Sequence, residues 1–389
     1  MARDRHRSRR GRREIGVAVP SERSGRHDLG SVRRLADRRR DRGRARRHVR
    51  CRAGNEQCVH CYCVVEHGKE REARARELTT AEWTRVLDEL ADLGGLYVTF
   101  SGGEVFVRPD FFDIVEHAKS RGFVYRVYTN GIGLTADKVR RLAALDPLTV
   151  ELSIFSADPA VHDAITRVPG SFHRLLRGVR QLKEAGLRVY LKTVVMKPNV
   201  AGLADLRKLG RELDVFTHIF SCEVSPRIDG DPHRPSAYQL DEDELYAYLA
   251  HDTWRKQLLP LAEGHPEDVA RQRQSGGPAV NGGCIDPYGT LFPCIAFRVP
   301  LGNVRERAFR DVWFAPPPAI RELMAIQSYA DLPECRSCEL NGFCNRCHGD
   351  AMLERKGDWQ NCRPRARRIA AAERKLYQLL SKEAMPRHG

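Results

Sequence analysis

Asn55-Glu56-Gln57-Cys58-Val59-His60-Cys61-Tyr62-Cys63 places three cysteines within six positions. The basic opening of the chain has no apolar core of the kind a secretory signal carries, which predicts a cytoplasmic protein with reduced thiols. In that setting clustered cysteines point to metal before disulfides. Thiolates are soft ligands that suit iron–sulfur clusters or zinc, and a Cys-x2-Cys pair by itself admits either.

Outward from this stretch the chain alternates helix and strand. Residues 96–104 read as a strand ending in Gly102-Gly103-Glu104, and residues 123–131 as a strand ending in Thr129-Asn130-Gly131. Further strands are expected at 148–155, 188–196 and 216–224. The intervening helices are expected from Thr80 with Trp83, Val86, Leu87 and Leu90, near 109–120 with Pro109 in the first turn, and near 135–145, 171–185 and 202–213. Such repeating units imply parallel strands with helices outside. They are too few for a closed eight-stranded barrel. Ligand-binding residues then belong at the carboxyl ends of the strands, where Gly102-Gly103-Glu104, Asn130 and Ser153 fall.

The net charge of +15 over 389 residues is a local property. Residues 1–50 carry 19 Lys and Arg against 6 Asp and Glu, leaving about +2 for the remainder. A segment this polar buries too little apolar surface to offset its entropy, so it reads as a disordered, solvated extension rather than a nucleic-acid arm. No apolar run approaches the length that spans a bilayer.

Together, Cys58-Val59-His60-Cys61-Tyr62, Gly102-Gly103-Glu104 and Thr129-Asn130-Gly131 resemble the radical SAM enzymes, from about residue 55 to the end. Their pattern is Cys-x3-Cys-x2-Cys, three ligands to a [4Fe–4S] cluster whose fourth iron site binds S-adenosylmethionine. Cys58 and Cys61 match the second and third ligands, but Gly54 stands where the first should be. The nearest upstream cysteine is Cys51, and the three extra loop residues add roughly 10 Å of extended reach. Members of the family begin with an apolar strand leading into the cysteine loop, and residues 30–53 do not read as one. A misassigned or out-of-frame upstream sequence would account for both departures.

The resemblance implies an α/β fold: a partial (β/α)6 TIM-like barrel followed by a small Cys-rich cluster-binding domain. The expected boundaries are 1–53 for the basic or non-native segment, 54–230 for the barrel, 231–279 for a connector, 280–365 for the cluster domain and 366–389 for a terminal helix and tail. By the same resemblance, Gly102 and Gly103 let the backbone approach S-adenosylmethionine, and Glu104 accepts from its methionyl ammonium. His60 packs near the adenine, Asn130 and Ser153 make polar contacts, and Lys192 faces the carboxylate. The bland readings are a strand-end carboxylate for Glu104 and turn or strand-end residues for Asn130 and Ser153. Isolated histidines such as His162 carry no assigned role.

Seven more cysteines follow, Cys284, Cys294, Cys335, Cys338, Cys344, Cys347 and Cys362. Residues 286–293, between the first two, read as a hairpin. Seven thiolates are too many for one zinc site and one short of two. This order resembles the SPASM extension of radical SAM enzymes. It implies one auxiliary [4Fe–4S] cluster on Cys335, Cys338, Cys344 and Cys362. A second falls to Cys284, Cys294 and Cys347, its fourth ligand undetermined; an open iron there would offer a place for substrate. Cys222 reads as a buried structural thiol.

The resemblance therefore implies an oxidoreductase that reductively cleaves S-adenosylmethionine and modifies an unactivated C–H position of a peptide or protein, with an electron donor such as flavodoxin or ferredoxin. Small-molecule or porphyrin substrates are a further enzyme reading. The alternatives are an iron–sulfur protein that has lost S-adenosylmethionine cleavage, for which Gly54 speaks, and a nucleic-acid-binding protein using the arginine-rich tail.

Overall fold

The computed structural model describes residues 58–61, 70–219, 224–227, 233–251, 282–326, 331–344 and 346–384. Cys51, Gly54, Cys63, Cys222 and the basic segment lie outside the described residues. Five strands form one sheet in chain order: β1 (Tyr97–Phe100), β2 (Val124–Thr129), β3 (Thr149–Ser153), β4 (Val189–Thr193) and β5 (Phe216–Ile219). Every neighbouring pair is parallel. Between them run α3 (Phe111–Ser120), α4 (Ala136–Leu145), α5 (Pro159–Thr166), α6 (Ser171–Glu184) and α7 (Leu203–Glu212), after α1 (Glu70–Arg76) and α2 (Thr80–Asp92). The α/β reading stands, with five of about six expected units among the described residues.

Strands β1, β2 and β4 alternate buried and half-buried positions, whereas β3 is buried from Thr149 to Leu152. Val98, Phe100, Tyr125, Val127, Val150, Leu152, Val189 and Leu191 are buried in the main core. The intervening positions, Tyr128, Glu151 and Lys192 among them, face the other way. Helix α2 closes one side with Trp83, Val86, Leu87 and Leu90, each fully buried. Each such side chain is worth about 1.5–3 kcal/mol in apolar burial.

Several expected boundaries move. Thr79, not Thr80, caps α2, in a reciprocal capping box with Glu82. The Thr80 hydroxyl instead donates to Asp110 Oδ2 at 2.5 Å. Helix α3 begins at Phe111, two residues past Pro109, because Asp110 is held by Thr80 and Arg108. Strand β5 is described only to Ile219. The short helix α5 is not among the expected helices; Asp158 caps it through the Ala160 N–H and Pro159 opens it.

Downstream, α8 (His233–Ser236) and α9 (Glu242–Ala250) precede a small antiparallel sheet of β6 (Cys284–Ile285), β7 (Thr290–Phe292) and β8 (Gly302–Asn303). The expected hairpin is thus present, with Cys284 opposite Phe292 and Cys294 two residues beyond it. Helices α10 (Phe309–Phe314), α11 (Pro318–Ala325), α12 (Pro333–Arg336), α13 (His348–Glu354) and α14 (Pro364–Ala384) follow among the described residues. The two halves share one continuous apolar core. Arg305 stitches them at the surface, binding Glu82 Oε1 at 2.6 Å and the carbonyls of Arg76 and Glu77. No helix among the described residues is long and apolar enough to cross a membrane.

Candidate cofactor and cluster sites

The cysteine loop sits against the segments that follow the strands. Val59 N–H donates to the Ile165 carbonyl at 2.9 Å, and Cys61 N–H to the Cys58 carbonyl at 2.9 Å. Cys58 and Val59 pack on Phe155, Ile165, Met196 and Val224. Phe155 and Met196 follow β3 and β4, so the loop lies at the carboxyl end of the sheet. Burial, with the neighbouring Cys61 adding, pushes the Cys58 thiol up to about 12. Such thiols give up their protons only to a metal, which is what a cluster ligand does.

His60 stands edge-on to Phe155, ring centroids 4.6 Å apart. Burial lowers it to about 4, so its ring is neutral at pH 7. His162 holds that wall: its Nδ1 accepts the Phe155 N–H at 3.2 Å, and its ring stacks on Phe155. It is a core residue with a backbone partner, as expected of an isolated histidine.

Gly102 has φ +151, a conformation that a side chain would strain, so the turn after β1 needs glycine there. This turn presents Glu104 to the end of β2. Its carboxylate accepts from Thr129 Oγ1 at 2.8 Å, Asn130 N–H at 2.8 Å and Phe106 N–H at 3.2 Å. Burial raises Glu104, while these donors and the Lys138 ammonium pull the other way. The Asn130 side chain closes its own turn, Oδ1 accepting from Ile132 N–H at 2.8 Å. Ser153 ends β3 exposed and in register with Lys192. The structure therefore gathers Cys58, His60, Cys61, Gly102, Gly103, Glu104, Asn130 and Ser153 at one end of the sheet.

Lys192 has company the sequence did not announce. Its Nζ lies 2.6 Å from Glu151 Oε2 and 3.6 Å from the centroid of Tyr128. Glu151 is nearly buried and is held by Thr149 Oγ1 at 2.8 Å. Register explains the grouping, since Tyr128, Glu151 and Tyr190 are cross-strand neighbours and Lys192 lies two residues on from Tyr190. A carboxylate inside an apolar run was the available signal.

The second set of thiols forms two groups. Burial raises Cys335, with Cys362 and Cys338 adding, and Cys344 is raised by its hydrogen bond to Cys362, by burial and by the nearby Cys335 and Cys338. Cys344 and Cys362 share a hydrogen bond that holds the proton on Cys344 and lowers Cys362. Arg346 braces this group: Nη1 lies 3.5 Å from Cys335 Sγ and 2.9 Å from the Gln360 carbonyl, and Nη2 reaches the Trp359 and Asn361 carbonyls. The clamp fixes the segment just before Cys362.

The other group is built by close backbone approach. A Cβ on Gly349 would lie 2.6 Å from the Ala296 carbonyl carbon, so the turn after Cys347 abuts the turn after Cys294. Each thiol caps its own turn, Cys294 Sγ accepting from Phe297 N–H at 3.2 Å and Cys347 Sγ from Asp350 N–H at 3.4 Å. Burial raises both, Cys347 to about 12. Cys284 is buried on the adjoining hairpin.

Family models identify what these groups belong to. Residues 49–209 match the radical SAM superfamily and residues 281–339 the SPASM iron–sulfur cluster-binding domain. The chain is 32% identical to the mycofactocin maturase MftC of Mycobacterium tuberculosis, over 77% of this chain and 76% of that one. It is 29% identical to an AdoMet-dependent heme synthase of Methanosarcina barkeri, over 76% of this chain and 88% of that one. It is 30% identical to a PqqA peptide cyclase of Methylocella silvestris, over 69% and 74%. Streptococcus suis SuiB with bound S-adenosylmethionine shares the fold, with a TM-score of 0.61 at 17% identity, covering 91% of this chain and 77% of SuiB. The chain belongs to the radical SAM family and carries its SPASM domain. Its cofactors are S-adenosylmethionine and [4Fe–4S] clusters, and the grouped, buried thiols suit the latter.

Proposed function

We propose that the chain is a radical SAM oxidoreductase that matures a peptide by modifying an unactivated C–H position. The observation that carries this reading is the extended match to MftC, at 32% identity over 77% of the chain. When bound, the cluster and S-adenosylmethionine supply one-electron cleavage of the sulfonium C–S bond, and with it hydrogen-atom abstraction.

This chain's residues hold and orient those groups. Cys58 and Cys61 serve as thiolate ligands, with Cys51 as the third. Glu104, oriented by Thr129 and Asn130, takes the ammonium of S-adenosylmethionine, and the neutral His60 lines its adenine side. Ser153 and Lys192 contribute from β3 and β4, Glu151 holding the Lys192 ammonium until a substrate or cofactor carboxylate competes for it. The thiols of the second region hold two auxiliary clusters. Flavodoxin or ferredoxin fits the need for a one-electron donor.

The match to the heme synthase supports a second reading, a porphyrin substrate. The two separate in one assay. The protein is reconstituted anaerobically with iron and sulfide, reduced, and given S-adenosylmethionine. It receives either synthetic peptides encoded by short reading frames beside its gene, or haem-precursor porphyrins. Peptide-dependent 5′-deoxyadenosine, with a peptide mass lower by two hydrogens and no product from Cys58→Ala, is expected. Porphyrin-dependent turnover with unchanged peptides would overturn the peptide reading.

A further inference from the structure

On the reading of Cys284, Cys294 and Cys347 as one cluster's ligands, the described residues supply three thiolates and leave the fourth ligand to be assigned. Asp350 is in place to supply it. Its carboxylate is 7% exposed, and Oδ1 is buried with no hydrogen-bond partner among the described residues. An ionised oxygen left in this state is costly unless something binds it. Its backbone N–H already donates to Cys347 Sγ, which fixes the residue beside that thiol. The adjacent Gly349 packs on Ala296, two residues past Cys294, which brings the Asp350 segment to the Cys294 turn as well.

The bland reading is that Asp350 is the counter-ion of the fully buried Arg363. Asp350 Oδ2 does lie 3.4 Å from Arg363 Nη2. Arg363, however, is also held by Glu354 at 3.2 Å, and that contact leaves Asp350 Oδ1 unexplained. A single metal ion does not fit this group: among the described residues no three Cys, His, Asp or Glu side chains converge tightly enough to hold one. A cubane gives each ligand its own iron and so spaces its ligands more widely.

We propose that Asp350 is the fourth protein ligand of the auxiliary cluster held by Cys284, Cys294 and Cys347, a hard oxygen donor among three thiolates. This rests on the reading of those cysteines as cluster ligands. It replaces the idea of an iron left open for substrate with one closed by a carboxylate.

The test uses the full chain reconstituted with iron and sulfide, and reads metal content and spectra rather than turnover. Cys347→Ala examines the underlying reading and should remove about four irons per chain. If it leaves the iron unchanged, the cluster assignment itself fails. Asp350→Ala examines the inference. It should cost about one iron per chain and leave a three-iron EPR signal after oxidation. Asp350→Cys should keep the full iron complement, with an altered reduced-state spectrum and a lower midpoint potential. Wild-type protein labelled with 13C-carboxylate aspartate should show hyperfine coupling to the reduced cluster, absent in Asp350→Cys; this measurement decides even if Asp350→Ala does not fold. Full iron and an unchanged spectrum in Asp350→Ala, or no 13C coupling in the wild type, would overturn the proposal.

Discussion

Replacing Gly349 by alanine should separate the two turns that bring Cys294 and Cys347 together. The new Cβ would lie 2.6 Å from the Ala296 carbonyl carbon and Cβ and 2.7 Å from Phe297 N, where ordinary contact begins at 3.4 Å. The obstacle is mainly backbone, which cannot swing aside like a side-chain tip. The turns must therefore part by about 0.8 Å. Overpacking of this kind costs about 1–3 kcal/mol. Metal–ligand distances tolerate only about 0.2 Å, so the cluster suffers more than the fold. Denaturant unfolding and iron content measure the two effects. Gly133→Ala is the control, because its methyl meets only the Lys138 Nζ at 3.8 Å. The Gly349 variant should lose about four irons per chain, one cluster, while the control keeps its full complement. Full iron together with stability within about 0.5 kcal/mol of wild type would refute the close-approach reasoning.

Other consequences are equally open to measurement. Lys192→Met strands the nearly buried Glu151 and should destabilise by about 3 kcal/mol, whereas Lys192→Met with Glu151→Met should recover most of it in urea unfolding. Glu82 is lowered to about 2, first by its hydrogen bond to Arg305. A depressed folded value means its contribution is complete above about 4.5 and lost as pH falls toward 2. At this partly exposed site that is at most about 1 kcal/mol, and Glu82→Gln should flatten the acid limb of a stability profile by that amount. Cluster loading must take protons from Cys58 and Cys347, both pushed to about 12. Iron removal by a chelator should therefore go further as pH falls from 8 to 6, followed by visible absorbance.

Much of the site could be read from the sequence because backbone geometry carries it. Glycine at Gly102 answers a local φ that other residues strain, and the position of Glu104 just past a strand follows from the parallel α/β rule. The hairpin between Cys284 and Cys294 was legible for the same reason, its turn residues being contiguous. Glu151 and Asp350 were not singled out. Glu151 matters through strand register with Tyr128 and Tyr190, some 23 and 39 positions away. Asp350 matters because Gly349 packs on Ala296, a contact over 53 positions. Neither distance leaves a periodic trace.

The sequence alone determined the class of chemistry, since soft thiolates at close spacing and a Gly-Gly-Glu strand end are properties of neighbouring residues. It also determined the alternating α/β order, through apolar periodicity such as that of Trp83, Val86, Leu87 and Leu90 in α2. Tertiary structure alone decided which carboxylate neutralises Lys192 and which buried oxygen lacks a hydrogen-bond partner among the described residues. Those outcomes depend on how distant backbones approach and how much water they exclude, and no short window of residues contains that information.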